Sequence, residues 1–278
     1  MRMAPNESRG RISPVVIVGG LLVAAFAVIA ARQMLRPREQ QDLVEQIQAV
    51  GGFVTNDPPP TLAERISAYQ SGSGWLATYT AVGLYTSDIT GEWLRKHDNL
   101  AALKITDLKL SETALTDAEL ARFVAAHPVH VLQLRQEQIG EETVAALADL
   151  MDLTILELRD CPIADDQLAR LPLEQLDELR IDGTRVTAEG MEALRRAERI
   201  VELTIGGRQL GGGTGNLLKA MPQLRDLQLF GSDVTDEHLG QLHNVTQLEF
   251  IQLSRTAVSD EGVKSLRAAL PKCDVVVR

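Results

Sequence analysis

Aromatic residues are scarce in this chain of 278 residues, since Phe, Trp and Tyr together make up 4% of it. A hydrophobic core without rings must be built from Leu, Ile, Val and Ala, and apolar residues do reach 45%. This fraction excludes disorder by composition. The chain has only two cysteines, Cys161 and Cys273, which lie far apart, so a disulfide framework and a cysteine-based metal site are excluded.

Positive charge is also scarce beyond the N-terminus. The first 38 residues hold six arginines and one acid, Glu7, which leaves 22 basic and 37 acidic residues in the remainder, a net charge of −15. An acidic domain repels the phosphates of nucleic acids and anionic lipid headgroups. We therefore expect no nucleic-acid partner, and a protein partner that is basic or neutral.

One apolar run near the N-terminus differs from the rest of the chain. Residues 14–31 carry no charge over eighteen positions, between Arg11 and Arg32. As a helix they span roughly 27 Å, close to the ~30 Å of a bilayer core. We expect a transmembrane helix at 14–31 after a basic tail at 1–13. A cleaved signal peptide is the alternative, although its apolar stretch is usually shorter, about 7–15 residues.

The direction of this expected span stays open. Three arginines precede it and three follow it, so the positive-inside rule does not choose a side. We expect a single-pass membrane protein, with a slight preference for the extracytoplasmic side.

A repeat fills the rest of the chain. The frame L-x-x-L-x-L-x-x-T-x-V occurs seven times, and its first anchors are 24, 24, 23, 24, 24 and 24 residues apart. The first half of each unit alternates as a half-buried strand does, and the second half spaces apolar residues as a short helix does. The anchor triplets are Ile105/Leu108/Leu110, Val129/Leu132/Leu134, Leu153/Leu156/Leu158, Leu176/Leu179/Ile181, Ile200/Leu203/Ile205, Leu224/Leu227/Leu229 and Leu248/Ile251/Leu253.

Units this short bury their apolar faces only when they stack. The sequence therefore predicts an α/β solenoid over residues 79–278, with a curved parallel sheet inside and short helices outside. A degenerate unit with Tyr79, Val82 and Leu84 precedes the seven regular units at a gap of 26, and a terminal strand follows them at 273–277. We interpret residues 32–78 as a helical spacer and N-terminal cap.

This pattern resembles the leucine-rich-repeat family, most closely its short cysteine-containing type, L-x-x-L-x-L-x-x-C/T-x-(I/V)-T-D. The best matches are residues 156–165, 181–187 and 256–263. The chain is also similar to bacterial membrane-tethered members, because the helix-like segment 44–50 ends in Gly-Gly before the repeats. The resemblance covers residues 40–278 and implies a binding scaffold; without an F-box, a ubiquitin-ligase role is not implied.

The resemblance also implies a small polar residue that points inward after each strand. The residues at this position are Thr113, Glu137, Cys161, Thr184, Arg208, Ser232 and Thr256. Glu137 and Arg208 depart from the pattern, so their turns should differ.

Two segments resemble functional motifs, but each lacks a residue that its motif requires. The glycine-rich segment 206–215 looks like a phosphate loop, but a Walker loop needs Gly-Lys-Ser/Thr, and Gly215 is followed by Asn216. His127 and His130 form H-x-x-H without the glutamate of a zinc protease. We predict no catalytic residue, no metal site and no cofactor, and interpret 206–215 as a widened turn.

Between the anchors, the polar strand residues should form one face of the sheet. An arginine cluster, an acidic run and two exposed phenylalanines mark this face as a protein-binding site. The predicted site residues are Lys109, Gln133, Arg135, Glu157, Arg159, Arg180, Glu202, Asp226, Phe230 and Phe250.

Three functions follow from these patterns. The leading hypothesis is a membrane-anchored protein-binding scaffold without catalysis. A structural protein that spaces the envelope without a specific ligand is the first alternative. A nucleotide-binding enzyme that uses the turn at 206–215 is the second.

Overall fold

The computed structural model describes residues 37–55, 81–86, 88–97, 100 and 105–278. The chain divides into two units, residues 1–42 and 43–278, and all strands belong to the second. The strands are β1 (Phe53–Thr55), β2 (Ala81–Leu84), β3 (Asp107–Ser111), β4 (Val131–Arg135), β5 (Ile155–Arg159), β6 (Glu178–Arg180), β7 (Glu202–Ile205), β8 (Asp226–Phe230), β9 (Phe250–Ser254) and β10 (Asp274–Val277). The α-helices are α1 (Pro37–Ala49), α2 (Gly91–Lys96), α3 (Asp117–Ala125), α4 (Glu141–Ala148), α5 (Asp165–Leu168), α6 (Thr214–Lys219), α7 (Asp236–Gly240) and α8 (Asp260–Ala269), and 3-10 helices lie at Leu173–Gln175, Gly190–Arg196 and Gly207–Gln209.

The strands form one sheet in chain order, from β1 to β10. Strands β2 to β10 are parallel, and their register repeats the spacing of the anchors. Ala81 pairs with Asp107 across the irregular first gap of the repeat, whereas Ile155 pairs with Glu178 across its shortest regular gap. The predicted parallel sheet is confirmed, and the arrangement is of the leucine-rich-repeat type.

The core lies between the sheet and the returning segments. Every anchor residue of the seven units is at most 2% exposed. The apolar residue ten positions after each first anchor is also buried in six units, and Val258 in the last unit is half-buried. Full burial of one such aliphatic side chain stabilises by about 1.5–3 kcal/mol. Because each anchor packs on its neighbours, the units are stable only as a stack.

The N-terminal edge of the sheet contains an element that the sequence did not predict. Strand β1 pairs with β2 in the antiparallel direction, with Phe53 opposite Gly83. A Cβ atom on Gly83 would lie 2.3 Å from the ring of Phe53, so glycine is needed there. The strand covers the edge of β2, which would otherwise expose unpaired backbone groups.

A left-handed residue follows the strand in six of the seven regular units. In five of the six, its N–H group donates to a carbonyl 22 or 23 residues later; Glu112 N, for example, donates to Arg135 O at 3.1 Å, and Gln136 N donates to Arg159 O at 3.0 Å. The positions with positive φ are Glu112, Gln136, Asp160, Gly183, Gly231 and Arg255. Two of them are glycine, which adopts this conformation without steric cost.

An aspartate at the start of three helices caps the following unit. Asp117 accepts hydrogen bonds from the backbone N–H groups of Gly140, Glu142 and Thr143, at 2.8–3.1 Å. Asp165 and Asp236 do the same for Thr187 and Ser259. These bonds hold the pKa of Asp117 and of Asp236 below its ordinary value, although partial burial opposes the shift. The carboxylates therefore stabilise neighbouring helix starts, beyond their effect on their own helix dipole.

The helical segments vary more than the strands. Helix α5 has four residues, because Pro172 follows its last turn and disfavours helical backbone at the residue before it. The fourth unit uses the 3-10 helix Gly190–Arg196 in place of an α-helix. The predicted short helices are therefore α-helices in some units and 3-10 helices in others.

The predicted span at 14–31 lies outside the described residues. Of the helices within the described ranges, none has the length and apolar character to cross a membrane. The predicted domain boundaries at 13, 31 and 78 also fall on residues that the structure does not describe, and they stay predictions.

Candidate functional site on the strand face

The strand face is defined here as the side of the sheet formed by the residues between the anchors. Parallel register places these residues in rows across the strands. The first row is Asp107, Val131, Ile155, Glu178, Glu202, Asp226 and Phe250, and the middle row is Lys109, Gln133, Glu157, Arg180, Thr204, Gln228 and Gln252. The third row includes Ser111, Arg135, Arg159, Phe230 and Ser254. All ten predicted site residues therefore lie on one face.

The arginine cluster is joined by ion pairs. The Nε atom of Arg135 donates to Oε1 of Glu157 at 2.9 Å, and Nε of Arg159 lies 3.9 Å from the same oxygen. Arg159 Nε also lies 3.0 Å from Oδ2 of Asp182. Glu157 and Asp182 are buried, whereas the side chain of Arg135 is 45% exposed. Arg135 is therefore the arginine of this group that is best placed to meet a partner.

Arg180 bridges the next two acids. Its Nε atom donates to Glu178 at 2.5 Å and its Nη2 atom to Glu202 at 2.7 Å. Gln228 donates to the same oxygen of Glu202 at 2.7 Å. Both acids are buried, and buried charges are stable only with such partners.

The acidic run of the sequence forms a contiguous row. Glu178, Glu202 and Asp226 are register partners on adjacent strands. Burial, together with the neighbouring acids, raises the pKa of Glu202 to about 7, and Arg180 offsets part of this rise. Burial and Glu178 raise the pKa of Asp226 to about 6. Arg180 pairs with Glu178 and Glu202 and acts on Asp226 only through its charge, so the row favours additional positive charge.

Polar atoms without partners lie on or beside this row. Thr204 is 1% exposed, and its hydroxyl has no hydrogen-bond partner among the described residues. The same holds for Oδ1 of Asp226. Buried polar atoms are usually satisfied, so a ligand that supplies donors would find acceptors here.

The two predicted phenylalanines are less exposed than expected. Phe230 and Phe250 are both half-buried. The guanidinium carbons of Arg159 and Arg255 lie 5.3 Å and 5.5 Å from the centre of the Phe230 ring. The prediction of two exposed rings was wrong, and at Phe230 the guanidinium groups of Arg159 and Arg255 cover the ring.

The β3 and β4 end of the face carries the remaining predicted residues. Lys109 and Gln133 are half-buried, and Nζ of Lys109 lies 3.9 Å from buried Asp107. Tyr85, which the sequence analysis missed, lies just beyond β2 and is 44% exposed. It occupies the third-row position of the degenerate unit, so extending the rows by one unit would have found it.

The inward-pointing position behaves as expected in some units and differs in others. Cys161 is fully buried, its thiol donates to Leu134 O at 3.4 Å, and burial raises its pKa to about 12. Glu137 is also buried and accepts from the backbone N–H and the hydroxyl of Thr113. Ser232 is exposed, against expectation.

In the fifth unit, Gln209 takes the buried position that the repeat pattern assigns to Arg208. Arg208 is exposed, while the buried side chain of Gln209 donates to Val186 O at 2.9 Å and to the Thr184 hydroxyl at 3.3 Å. The backbone at this turn forms the 3-10 helix Gly207–Gln209, which directs Gln209 inward in place of Arg208. In the glycine-rich segment, Thr214 accepts from Gly211 N and donates to Gln209 O, both at 3.1 Å. The segment thus satisfies its own polar groups as a turn.

The histidine motif does not assemble a metal site. Among the described residues, no group of three or more His, Cys, Asp and Glu side chains could hold a metal ion. His127 is buried, whereas His130 is exposed. No cofactor is assigned to any site.

Comparison with known proteins identifies structural relatives only. No protein family matches the chain, and no curated protein matches it. An internalin of Listeria monocytogenes is 22% identical with a TM-score of 0.44, over 65% of this chain and 50% of that one. Internalin C2 of the same organism is 20% identical with a TM-score of 0.46, over 80% and 95%. The leucine-rich-repeat-containing protein LegL7 of Legionella pneumophila is 18% identical with a TM-score of 0.41, over 65% and 69%.

This chain therefore spans half the length of the first of these proteins. All three likenesses are distant in sequence and partial in structure, so none of them carries an argument about function. The assignment of the fold rests on the strand register and buried anchors of the chain itself, which form a leucine-rich-repeat-type sheet.

Proposed function

We propose that this protein is a membrane-anchored scaffold that binds a protein partner on its strand face and catalyses no reaction. The apolar run at 14–31 supports the anchor, and the buried inward-pointing Cys161 supports the short cysteine-containing type of repeat. The observation that carries the binding role is the row of Glu178, Glu202 and Asp226, in which Arg180 pairs with the first two and Asp226 has no ion pair of its own among the described residues.

A basic partner fits this row physically. A lysine or arginine side chain placed over Glu202 and Asp226 would supply the positive charge that the row favours. Other side chains that reach the surface flank the row. Exposed Arg135 and Tyr85 lie toward β2, and half-buried Phe250 lies toward β10. Arginine and aromatic side chains are frequent anchors of interfaces.

Capture of partners from solubilised membranes by the full chain tests this proposal. We expect Arg135→Glu, Phe250→Ala and Asp226→Lys each to abolish capture of a partner without lowering the melting temperature by more than a few degrees. The matched control is Arg195→Glu, because Arg195 is exposed on the 3-10 helix Gly190–Arg196 and pairs with Glu192 away from the strands.

The first alternative function gives a different result in the same experiment. A spacing protein without a specific ligand would return only background from every variant. If one partner is recovered equally by the wild type and all three face variants, the strand face is not the binding site.

A further inference from the structure

A cavity of about 260 Å³ lies between helices α2 and α3, at the first two units of the sheet. Leu94, Leu100 and Phe123 line it with apolar surface, and His97 and His127 also contribute to its wall. Because α2 begins at Gly91 and α3 at Asp117, the two helices are separated by the irregular first gap of the repeat. The cavity lies on the helical side and does not include the strand face.

His127 makes this cavity unusual. It is 4% exposed, it lines the cavity, and neither of its ring nitrogens has a hydrogen-bond partner among the described residues. The ring of Phe123 packs edge-on against it, with centroids 5.1 Å apart. A buried side chain with one donor and one acceptor normally satisfies both, because each unpaired group costs stability. The fold thus keeps two polar atoms directed into apolar surroundings.

The charge state of the imidazole restricts the ligand. Burial lowers the pKa of His127 to about 4, so its ring is uncharged at neutral pH. Two cations also line the cavity, and both already have partners: Arg95 pairs with Glu119 at 3.2 Å and Arg122 donates to Ala118 O. A carboxylate inside the cavity would therefore compete for cations that are already engaged, whereas a hydroxyl group can donate to or accept from either tautomer of the ring.

The size of the cavity restricts the ligand further. A dry protein cavity of ~150 Å³ holds one benzene ring, so this cavity has room for a two-ring molecule. We propose that it binds a small neutral aromatic alcohol, whose rings pack on Leu94 and Phe123 and whose hydroxyl group hydrogen-bonds to His127. This site is independent of the proposed partner-binding face.

A titration with 2-naphthol tests the proposal on the full chain labelled with ¹⁵N-histidine. The chain has five histidines, and the signal of His127 is the one that is lost in the His127→Phe variant. We expect 2-naphthol to shift the ring nitrogens of His127 and to bind roughly tenfold more tightly than 2-methylnaphthalene, which has the same shape without the hydroxyl group.

Three variants provide the controls. His127→Phe should reduce the preference for 2-naphthol to about one, whereas His130→Phe, at an exposed position, should retain it. Leu94→Trp should fill the cavity and weaken both compounds. Equal affinities in the wild type, no shift of the His127 nitrogens, or a preference that persists in His127→Phe would each overturn the proposal.

Discussion

The strand face has a charged half on β4–β7 and a second half on β8 and β9, called the neutral half here, in which Asp226 is the one charged strand residue. In the charged half, Arg135, Arg159 and Arg180 each lie within 3.0 Å of a buried carboxylate. In the neutral half, the middle row consists of Gln228 and Gln252. The charged half is therefore occupied largely with its own ion pairs, and a partner must compete with them. The difference shows that a cluster of charges in a sequence is a poor measure of the charge available for binding.

The largest expected effect is a loss of unfolding free energy that is greater in the charged half than in the neutral half. Arg180→Met leaves Glu178 and Glu202 buried without their counter-charge and should lower the free energy of unfolding by about 3 kcal/mol at pH 8. Gln228→Met removes one hydrogen bond to Glu202 and should cost about 1 kcal/mol. Urea unfolding measures both, and equal losses would show that the ion pairs do not define the charged half.

A pH series sharpens the same comparison. The folded-state pKa of Glu202, about 7, is above its unfolded value, so the native state binds more protons and loses stability as pH rises from about 4.5 through 7. Glu202→Gln removes this loss, so its unfolding free energy relative to wild type should rise by roughly 2 kcal/mol between pH 5 and pH 8. A pH-independent difference for Glu202→Gln would mean that folding does not raise the pKa of Glu202.

Phe230 is where the two halves meet, and its replacement should have a smaller effect. Phe230→Leu removes the ring under Arg159 and Arg255 and should cost about 1 kcal/mol beyond the loss of packing. The double variant Phe230→Leu with Arg159→Met should cost less than the sum of the single changes, as measured in a double-mutant cycle. Strict additivity would show that the guanidinium and the ring do not interact.

The smallest effect concerns the left-handed residue after the strands. Gln136 follows β4 with φ = 53°, and Gly231 follows β8 with φ = 112°. Gln136→Gly should relieve steric strain and raise the unfolding free energy by about 0.5 kcal/mol, after the entropic cost of glycine is subtracted. Gly231→Ala should instead be destabilising, and thermal melting of both variants checks the two signs.

The periodic part of the fold could be predicted from the sequence because it depends on burial alone. A one-residue shift would turn Leu156 or Leu203 out of the core, so their spacing fixes the register of neighbouring strands. The irregular gap before Ile105 and the terminal strand at Asp274–Val277 followed from the same rule. The strand face followed as well, since alternation determines which side chains share a side.

Contacts between units could not be predicted, because they join residues that are far apart in the sequence. The bonds from Asp117 to the start of α4 and the pairing of Arg180 with two strands depend on side-chain reach. The burial of Gln209 in place of Arg208 depends on a local 3-10 helix. Strand β1 has three residues and no alternation long enough to recognise. The sequence therefore located the candidate binding face but overestimated how many of its groups are free.

Site-specific photocrosslinking in intact cells tests most directly whether the strand face binds a partner. A photoreactive residue would replace Gln133 or Gln252, which lie in the middle row, or Met151, which is 77% exposed between α4 and β5. We predict one adduct of the same mass from Gln133 and Gln252 and none from Met151. An adduct from Met151 alone, or the absence of adducts from both strand positions, would contradict a protein-binding role for this face.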